Sequence, residues 1–207
     1  MQKKGRMCNE YKYLDPDYEY IDRSTGVLRN LAGISNQEDL DFFESAAVTK
    51  RAKELADNPL PIKDSQTLLA IHKHLFQDVY EWAGRKRTVE ISKEGNQFFP
   101  THYFDTAFDH IDKLITDYRK CDPKDRKELS YRLATILDAV NHLHPFREGN
   151  GRAQREFLRA LALEKKLLLN LNPPDDSKTY ERYMSGSIKG NVEMFSDLIF
   201  DLLSESS

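Results

Sequence analysis

The chain has 207 residues, 39% hydrophobic and 31% charged, and a formal net charge of -3 from 31 Lys+Arg against 34 Asp+Glu. That length suits one domain able to bury a core without staples, and the balanced charge offers no basic face for direct nucleic-acid binding. No run approaches the roughly 18 apolar residues of a membrane helix, and no apolar leader follows Met1. Cys8 and Cys121 lack the spacing of a zinc site or a disulfide framework, so a soluble, cytoplasmic protein is expected.

Residues 1–30 read as an irregular, Tyr-rich lead-in with turn chemistry at Asp15-Pro16-Asp17 and Ser24-Thr25-Gly26; residues 31–207 carry the main domain. Ser35 or Asn36 can cap a first helix through Leu40, Phe43, Ala47 and Ala52, ending near Ala56. Asp64 or Ser65 can cap a second, with Leu68, Leu69, Ile71, Leu75, Phe76 and Val79 at helical spacing up to Ala83-Gly84. The period then changes. Thr88 to Ser92 alternates as a half-exposed strand, Glu94-Gly95-Asn96 signals a turn, and Gln97-Phe98-Phe99 returns, which predicts a β-hairpin.

Further helices are expected through Phe104–Tyr118, Leu129–Leu143, Asn150–Ala162, Ser177–Ile188 and Asn191–Leu203, separated by Pro123, Pro145 and Pro173-Pro174. The result is an all-α bundle of about seven or eight helices with one small β-hairpin.

Six histidines are present, with His72/His74 and His142/His144 each two apart, a spacing that does not share a helix face. His72, His74, His102, His110 and His142 read as ordinary core or surface residues. His144 differs, because Pro145 places it at a helix-to-loop corner and a new helix opens six residues on, at Asn150-Gly151. Gly149 and Gly151 let a ligand approach the main chain, and amides at the new helix start form an anion cradle. Arg152 and Arg155 add positive charge where acidic residues are usual, which makes sense if an anion fills the site. Glu148 supplies one carboxylate for Mg²⁺ shared with phosphate oxygens. A base, a metal carboxylate, a cradle and two cationic clamps suit phosphoryl or nucleotidyl transfer.

The run His144-Pro145-Phe146-Arg147-Glu148-Gly149-Asn150-Gly151-Arg152-Ala153-Gln154-Arg155 resembles the complete signature of the Fic family, HPFx(D/E)GNGRxxR. Val79-Tyr80-Glu81-Trp82-Ala83-Gly84, then Arg87 and the hairpin, is similar to the family's segment leading into its flap. The resemblance implies a protein adenylyltransferase using ATP and Mg²⁺. In it His144 deprotonates a Ser, Thr or Tyr hydroxyl of a target protein, Glu148 holds the metal, and Gly149, Asn150 and Gly151 orient the phosphates. Arg152 and Arg155 bind the β and γ phosphates, while Phe146 anchors the loop. The hairpin residues Ile91, Ser92, Lys93, Glu94, Gly95 and Asn96 would dock an extended target segment by strand pairing. Doc-type relatives, which transfer phosphate, carry Lys where this chain has Gly151.

Many Fic enzymes are restrained by a helix bearing (S/T)xxxE(G/N). The nearest match here, Ser177-Lys178-Thr179-Tyr180-Glu181-Arg182, has Arg at the final position and reads as an exposed helix start. The expectation is therefore a bacterial toxin restrained by a small separate antitoxin protein carrying that helix, with topoisomerase ATPase subunits as candidate targets. Alternatives are an effector domain acting on host proteins such as small GTPases, a catalytically silent binding module, and a metal-dependent phosphohydrolase. A delivery domain after Leu203 would be expected of an effector; the phosphohydrolase has too few clustered ligands.

Overall fold

Local capping chemistry sets most of the helix starts in the computed structural model, which describes residues 11–15, 18–93, 96–172 and 176–205. Helix α1 (Gln37–Asp57) begins where Asn36 Oδ1 accepts the Asp39 amide. Helix α2 spans Thr67–Phe76; α3, Phe104–Lys120, follows a single 3₁₀ turn at Thr101–Tyr103. Asp125 caps α4 (Arg126–Leu143), Gly149 precedes α5 (Asn150–Glu164), Asp176 caps α6 (Ser177–Lys189) and Asn191 caps α7 (Val192–Leu202). The seven α-helices among the described residues agree with the predicted all-α bundle.

Helix α4 is the axis of the core. It packs lengthwise on α7 and against α3 and α5, and α2 bridges α1 to α5. Leu129, Leu133, Ala134, Ile136 and Leu137 are essentially inaccessible, as are Phe157, Leu158 and Leu161 on α5. Burial of each such side chain contributes roughly 1.5–3 kcal/mol before the entropy of ordering the chain is set against it. No described helix is long and apolar enough to cross a membrane. Cys121 is a half-buried free thiol; Cys8 lies outside the described residues.

Three expectations need correction. First, α2 does not continue to Gly84 but stops at Phe76, and residues 77–84 fold into tight turns. The Val79 carbonyl accepts from the Leu31 amide, and the Gly84 amide bonds to His72 Nδ1 at 2.9 Å. Second, neither Asp64 nor Ser65 caps α2, since Ser65 turns inward to donate to the Phe108 carbonyl. Third, the lead-in is not wholly irregular. Tyr11–Leu14 forms strand β1, antiparallel to β2 (Glu90–Lys93), which in turn pairs with β3 (Asn96–Gln97), so the hairpin is two-thirds of a three-stranded sheet. A second small pair, β4 (Leu167–Leu168) with β5 (Ser204–Glu205), ties the chain after α5 to that after α7.

Candidate active site

His144 terminates α4 in a left-handed conformation, φ 45°, that L-residues other than Asn, Asp and His seldom adopt. Pro145 blocks further helix, and buried Arg87 holds the corner from outside. Its amide donates to the Pro145 carbonyl at 2.7 Å and its Nε to the His144 carbonyl at 2.9 Å. The His144 ring is 7% exposed and stacks on Phe98, centroids 3.8 Å apart. Its Nδ1 lies 3.3 Å from the Asn141 carbonyl, and because a carbonyl only accepts, the neutral tautomer that suits this contact carries its proton on Nδ1 and its acceptor on Nε2.

The loop after His144 is stapled into shape. Phe146 is fully buried, as expected of an anchor, and stacks on the His72 ring at 3.7 Å. Asn150 Oδ1 accepts from the Phe146 amide at 2.9 Å and its Nδ2 donates to the Phe146 carbonyl at 2.8 Å. The Asn150 side chain therefore shapes the cradle rather than reaching into it. Gly149, φ 82°, makes the turn into α5, and its absent Cβ leaves room for the Phe76 ring. Of these two glycines only Gly149 uses a left-handed backbone angle, and Gly151 is ordinary helix within α5. Its bare Cα instead leaves space beside Arg155 Nη1 and the Tyr183 hydroxyl. The first-turn amides of α5 have no carbonyl of their own helix to bond, so they point a partial positive charge out of its N-terminus.

The remaining motif residues divide into two groups. His144, Gly151 and Arg155 line one cavity of about 790 Å³, together with Gln97, Phe98 and Tyr183. That is ample for a nucleotide. Arg155 has no carboxylate within ion-pair distance among the described residues; its guanidinium lies 5.2 Å from the Tyr183 ring centroid. Arg152 instead faces α1 and α2. Its Nη1 is 2.6 Å from Glu44 Oε1, its Nη2 is 3.4 Å from Glu148 Oε1, and its guanidinium lies over the Phe76 ring at 4.6 Å. Glu148 Oε1 also accepts the Gly149 amide at 2.8 Å.

Three residues that hold the site are not conspicuous in the sequence. His72 is fully buried, accepting from the Gly84 amide at Nδ1 and donating from Nε2 to the Glu148 carbonyl at 3.0 Å. Burial pushes its pKa down to about 3, so it is a neutral strut under the loop that carries Glu148. Arg87 also donates to the Val89 and Phe99 carbonyls, joining the base of the flap to the His144 corner. Tyr80 donates its hydroxyl to Glu44. The sequence signals are a histidine on an apolar helix, which reads as an ordinary core residue, and Tyr80 and Arg87 in the segment similar to the family's lead into its flap.

The flap is partly as expected. Ser92 and Lys93 lie on β2 and Asn96 on β3, whereas Glu94 and Gly95 fall outside the described residues. Ile91 is buried, so its side chain belongs to the core. The far edge of β2 is covered by β1, leaving β3 as the outer strand on the cavity side, where its Gln97 and the following Phe98 line the cavity.

A histidine at the mouth of a nucleotide-sized cavity, beside a helix N-terminus and an arginine without a carboxylate, is the constellation of phosphoryl- and nucleotidyl-transfer enzymes. The profile of the Fic/DOC family matches residues 62–162, and the chain belongs to that family. It is 35% identical over 195 residues to the protein adenylyltransferase VbhT of Bartonella schoenbuchensis, a match covering 94% of this chain but 41% of that protein. It is 39% identical over 142 residues to "Probable protein adenylyltransferase y4lH" of Sinorhizobium fredii, covering 66% and 71% respectively. Among solved structures, it is similar to the N-terminal Fic domain of a VirB-translocated Bep effector protein of Bartonella quintana with bound ADP. The TM-score is 0.81 at 25% identity, over 92% of this chain and 96% of that one.

Proposed function

We propose that this chain is a protein adenylyltransferase that moves AMP from ATP to a Ser, Thr or Tyr hydroxyl of a target protein. The observation that carries this reading is the meeting of His144 and Arg155 on one cavity at the N-terminus of α5. The ADP held by the Bartonella quintana domain supports a nucleotide as occupant. His144 Nε2 takes the proton of the target hydroxyl, whose oxygen then attacks the α-phosphorus. The bond from that phosphorus to the oxygen bridging the α and β phosphates breaks, and pyrophosphate leaves with the electron pair. AMP remains on the target as a phosphodiester. The amides at the start of α5 and the Arg155 guanidinium offset the charge growing on the leaving phosphates.

Glu148 fits a role in holding Mg²⁺. Its carboxylate is 39% exposed, and the Gly149 amide and Arg152 both meet the same oxygen, Oε1. No described cluster of three or more His, Cys, Asp or Glu builds a metal cage, so the ion would bring its other ligands as phosphate and water. Bound there, Mg²⁺ would neutralise phosphate charge. The target segment is proposed to add to the outer edge of β3 at Asn96–Gln97, which holds its hydroxyl near His144.

We further propose a cytoplasmic bacterial toxin whose antitoxin supplies an inhibitory glutamate to Arg155, with topoisomerase ATPase subunits as candidate targets. Support comes from α6: Glu181 is exposed there and no ion pair joins it to Arg155 among the described residues. A second reading, an effector domain, is favoured by the likeness to a translocated Bep protein and by VbhT being more than twice as long as the matched segment. One experiment tests both. The chain and its His144→Ala variant are incubated with Mg²⁺, α- or γ-labelled ATP, and bacterial or eukaryotic lysate. α-label on a protein, lost in the variant, is expected, and the lysate that supplies the band separates toxin from effector. γ-label, or none on any protein, would overturn the proposal.

A further inference from the structure

We infer that Glu44, on α1, is a positioning residue for the metal edge of the site, acting through Arg152 on Glu148. The inference rests on the adenylyltransferase reading above and deepens it. Glu44 lies outside residues 62–162, the segment that defines the family, and 108 residues from Arg152 in the chain. Its side chain is 13% exposed, against 29% for Arg152 and 39% for Glu148.

The geometry is a relay of charges. Glu44 Oε1 meets Arg152 Nη1 at 2.6 Å, a short charge-assisted contact. Its other oxygen accepts from the Tyr80 hydroxyl, and Tyr80 is buried. Burial first, and Glu44 second, push the Tyr80 pKa up, so this phenol is a permanent donor. Glu44 is thus fixed from behind and in turn fixes one edge of the guanidinium, with Phe76 supporting its face at 4.6 Å. The opposite edge is left 3.4 Å from Glu148 Oε1, a long contact. Arg152 sits between two carboxylates, with its shorter contact to Glu44 and its longer one to Glu148.

The consequence concerns competition. An arginine forks two oxygens of one carboxylate readily. Without the Glu44 charge, Arg152 would close on Glu148 as a bidentate pair and compete with Mg²⁺ for the oxygens proposed to hold it. Glu44 shares the guanidinium, so Arg152 meets Glu148 through one nitrogen at one oxygen and leaves Oε2 without a second arm of the fork. Partners that orient a metal ligand in this way commonly change metal affinity by roughly 10-fold or more when replaced.

The test is calorimetric binding of the non-hydrolysable ATP analogue AMPPNP, with and without Mg²⁺, to the unaltered chain and to Glu44→Gln, Arg152→Gln and the double variant. Glu44→Gln should weaken Mg²⁺-AMPPNP binding about 10-fold and metal-free binding less than about 2-fold. In the Arg152→Gln background the same change should add nothing, since Glu44 acts through Arg152. A thermal melt reports folding separately. If Glu44→Gln does not fold, Tyr80→Phe, which removes only the anchor, should shift the Mg²⁺-dependent affinity in the same direction by less. Equal or tighter binding by a folded Glu44 or Tyr80 variant would overturn the inference, as would additive effects in the double variant. If the unaltered chain binds no Mg²⁺-AMPPNP, it is the adenylyltransferase reading that falls.

Discussion

Replacing Gly149 with Ala should destabilise the protein by two separable routes, both of which the structure sizes. The first is backbone strain: Gly149 has φ 82°, where an L-residue costs roughly 1–2 kcal/mol. The second is a collision, because a Cβ at Gly149 falls on the Phe76 ring, 2.5 Å from Cε2 and 3.0 Å from Cε1. Phe76 is fully buried, stacked on His72 at 4.5 Å and covered by Arg152, so the ring cannot retreat without moving the strut and the clamp. Forcing an extra methyl into such packing costs a further ~1–3 kcal/mol. The sum is about 2–5 kcal/mol. Gly26 provides the control, having φ 73° with nothing within 4 Å of an added Cβ; Gly26→Ala should therefore show the strain alone. Urea unfolding of the three proteins measures both. A Gly149→Ala loss no larger than that of Gly26→Ala would refute the argument that the motif turn is shaped by Phe76.

His72 makes the protein acid-sensitive. Its folded pKa of about 3 lies below the ordinary 6.5, so the unfolded chain binds the extra proton; stability is complete above pH 6.5 and falls as pH drops towards 3. By pH 5 the loss is about 2 kcal/mol, and thermal melts of His72→Gln, which can keep both hydrogen bonds, should show a flatter pH dependence. Arg87→Lys retains the charge but not the fork that bonds the His144, Val89 and Phe99 carbonyls. It should lower label transfer at least roughly 10-fold while nucleotide binding, read by calorimetry, changes less. Gly151→Lys places a side chain beside Arg155 Nη1, 3.2 Å from the ideal Cβ, and should abolish transfer of α-label; transfer of γ-label instead would mark conversion to phosphate chemistry.

Most of the helices were legible because their information is local. Asn36, Asp125 and Asn191 cap the helices they precede, and apolar spacing marks the buried faces of α3, α4 and α5. The motif was legible for the same reason, since one continuous run from His144 to Arg155 turns a helix end into a helix start. What escaped was decided by pairings distant in sequence. The spacing Phe76, Val79, Ala83 is helical, yet Leu31 takes the Val79 carbonyl and His72 takes the Gly84 amide, so α2 ends early. Tyr11–Leu14 is too short and too charged in its surroundings to read as a strand until β2 offers it an edge.

The same distinction separates the motif from the site. Sequence places Arg152 and Arg155 three apart on one helix turn and suggests a matched pair of phosphate clamps, but the structure gives them different neighbours. Arg155 lines the cavity beside Tyr183 with no carboxylate within ion-pair distance among the described residues, which is the charge proposed above to meet a ligand or an inhibitory partner. Arg152 already has Glu44, contributed by a helix that lies before the family-defining segment. A chain cut at residue 62 would keep every residue of the motif and lose the carboxylate that shares Arg152 with Glu148. With the role inferred for Glu44, the functional unit begins no later than α1, beyond the reach of the motif alone.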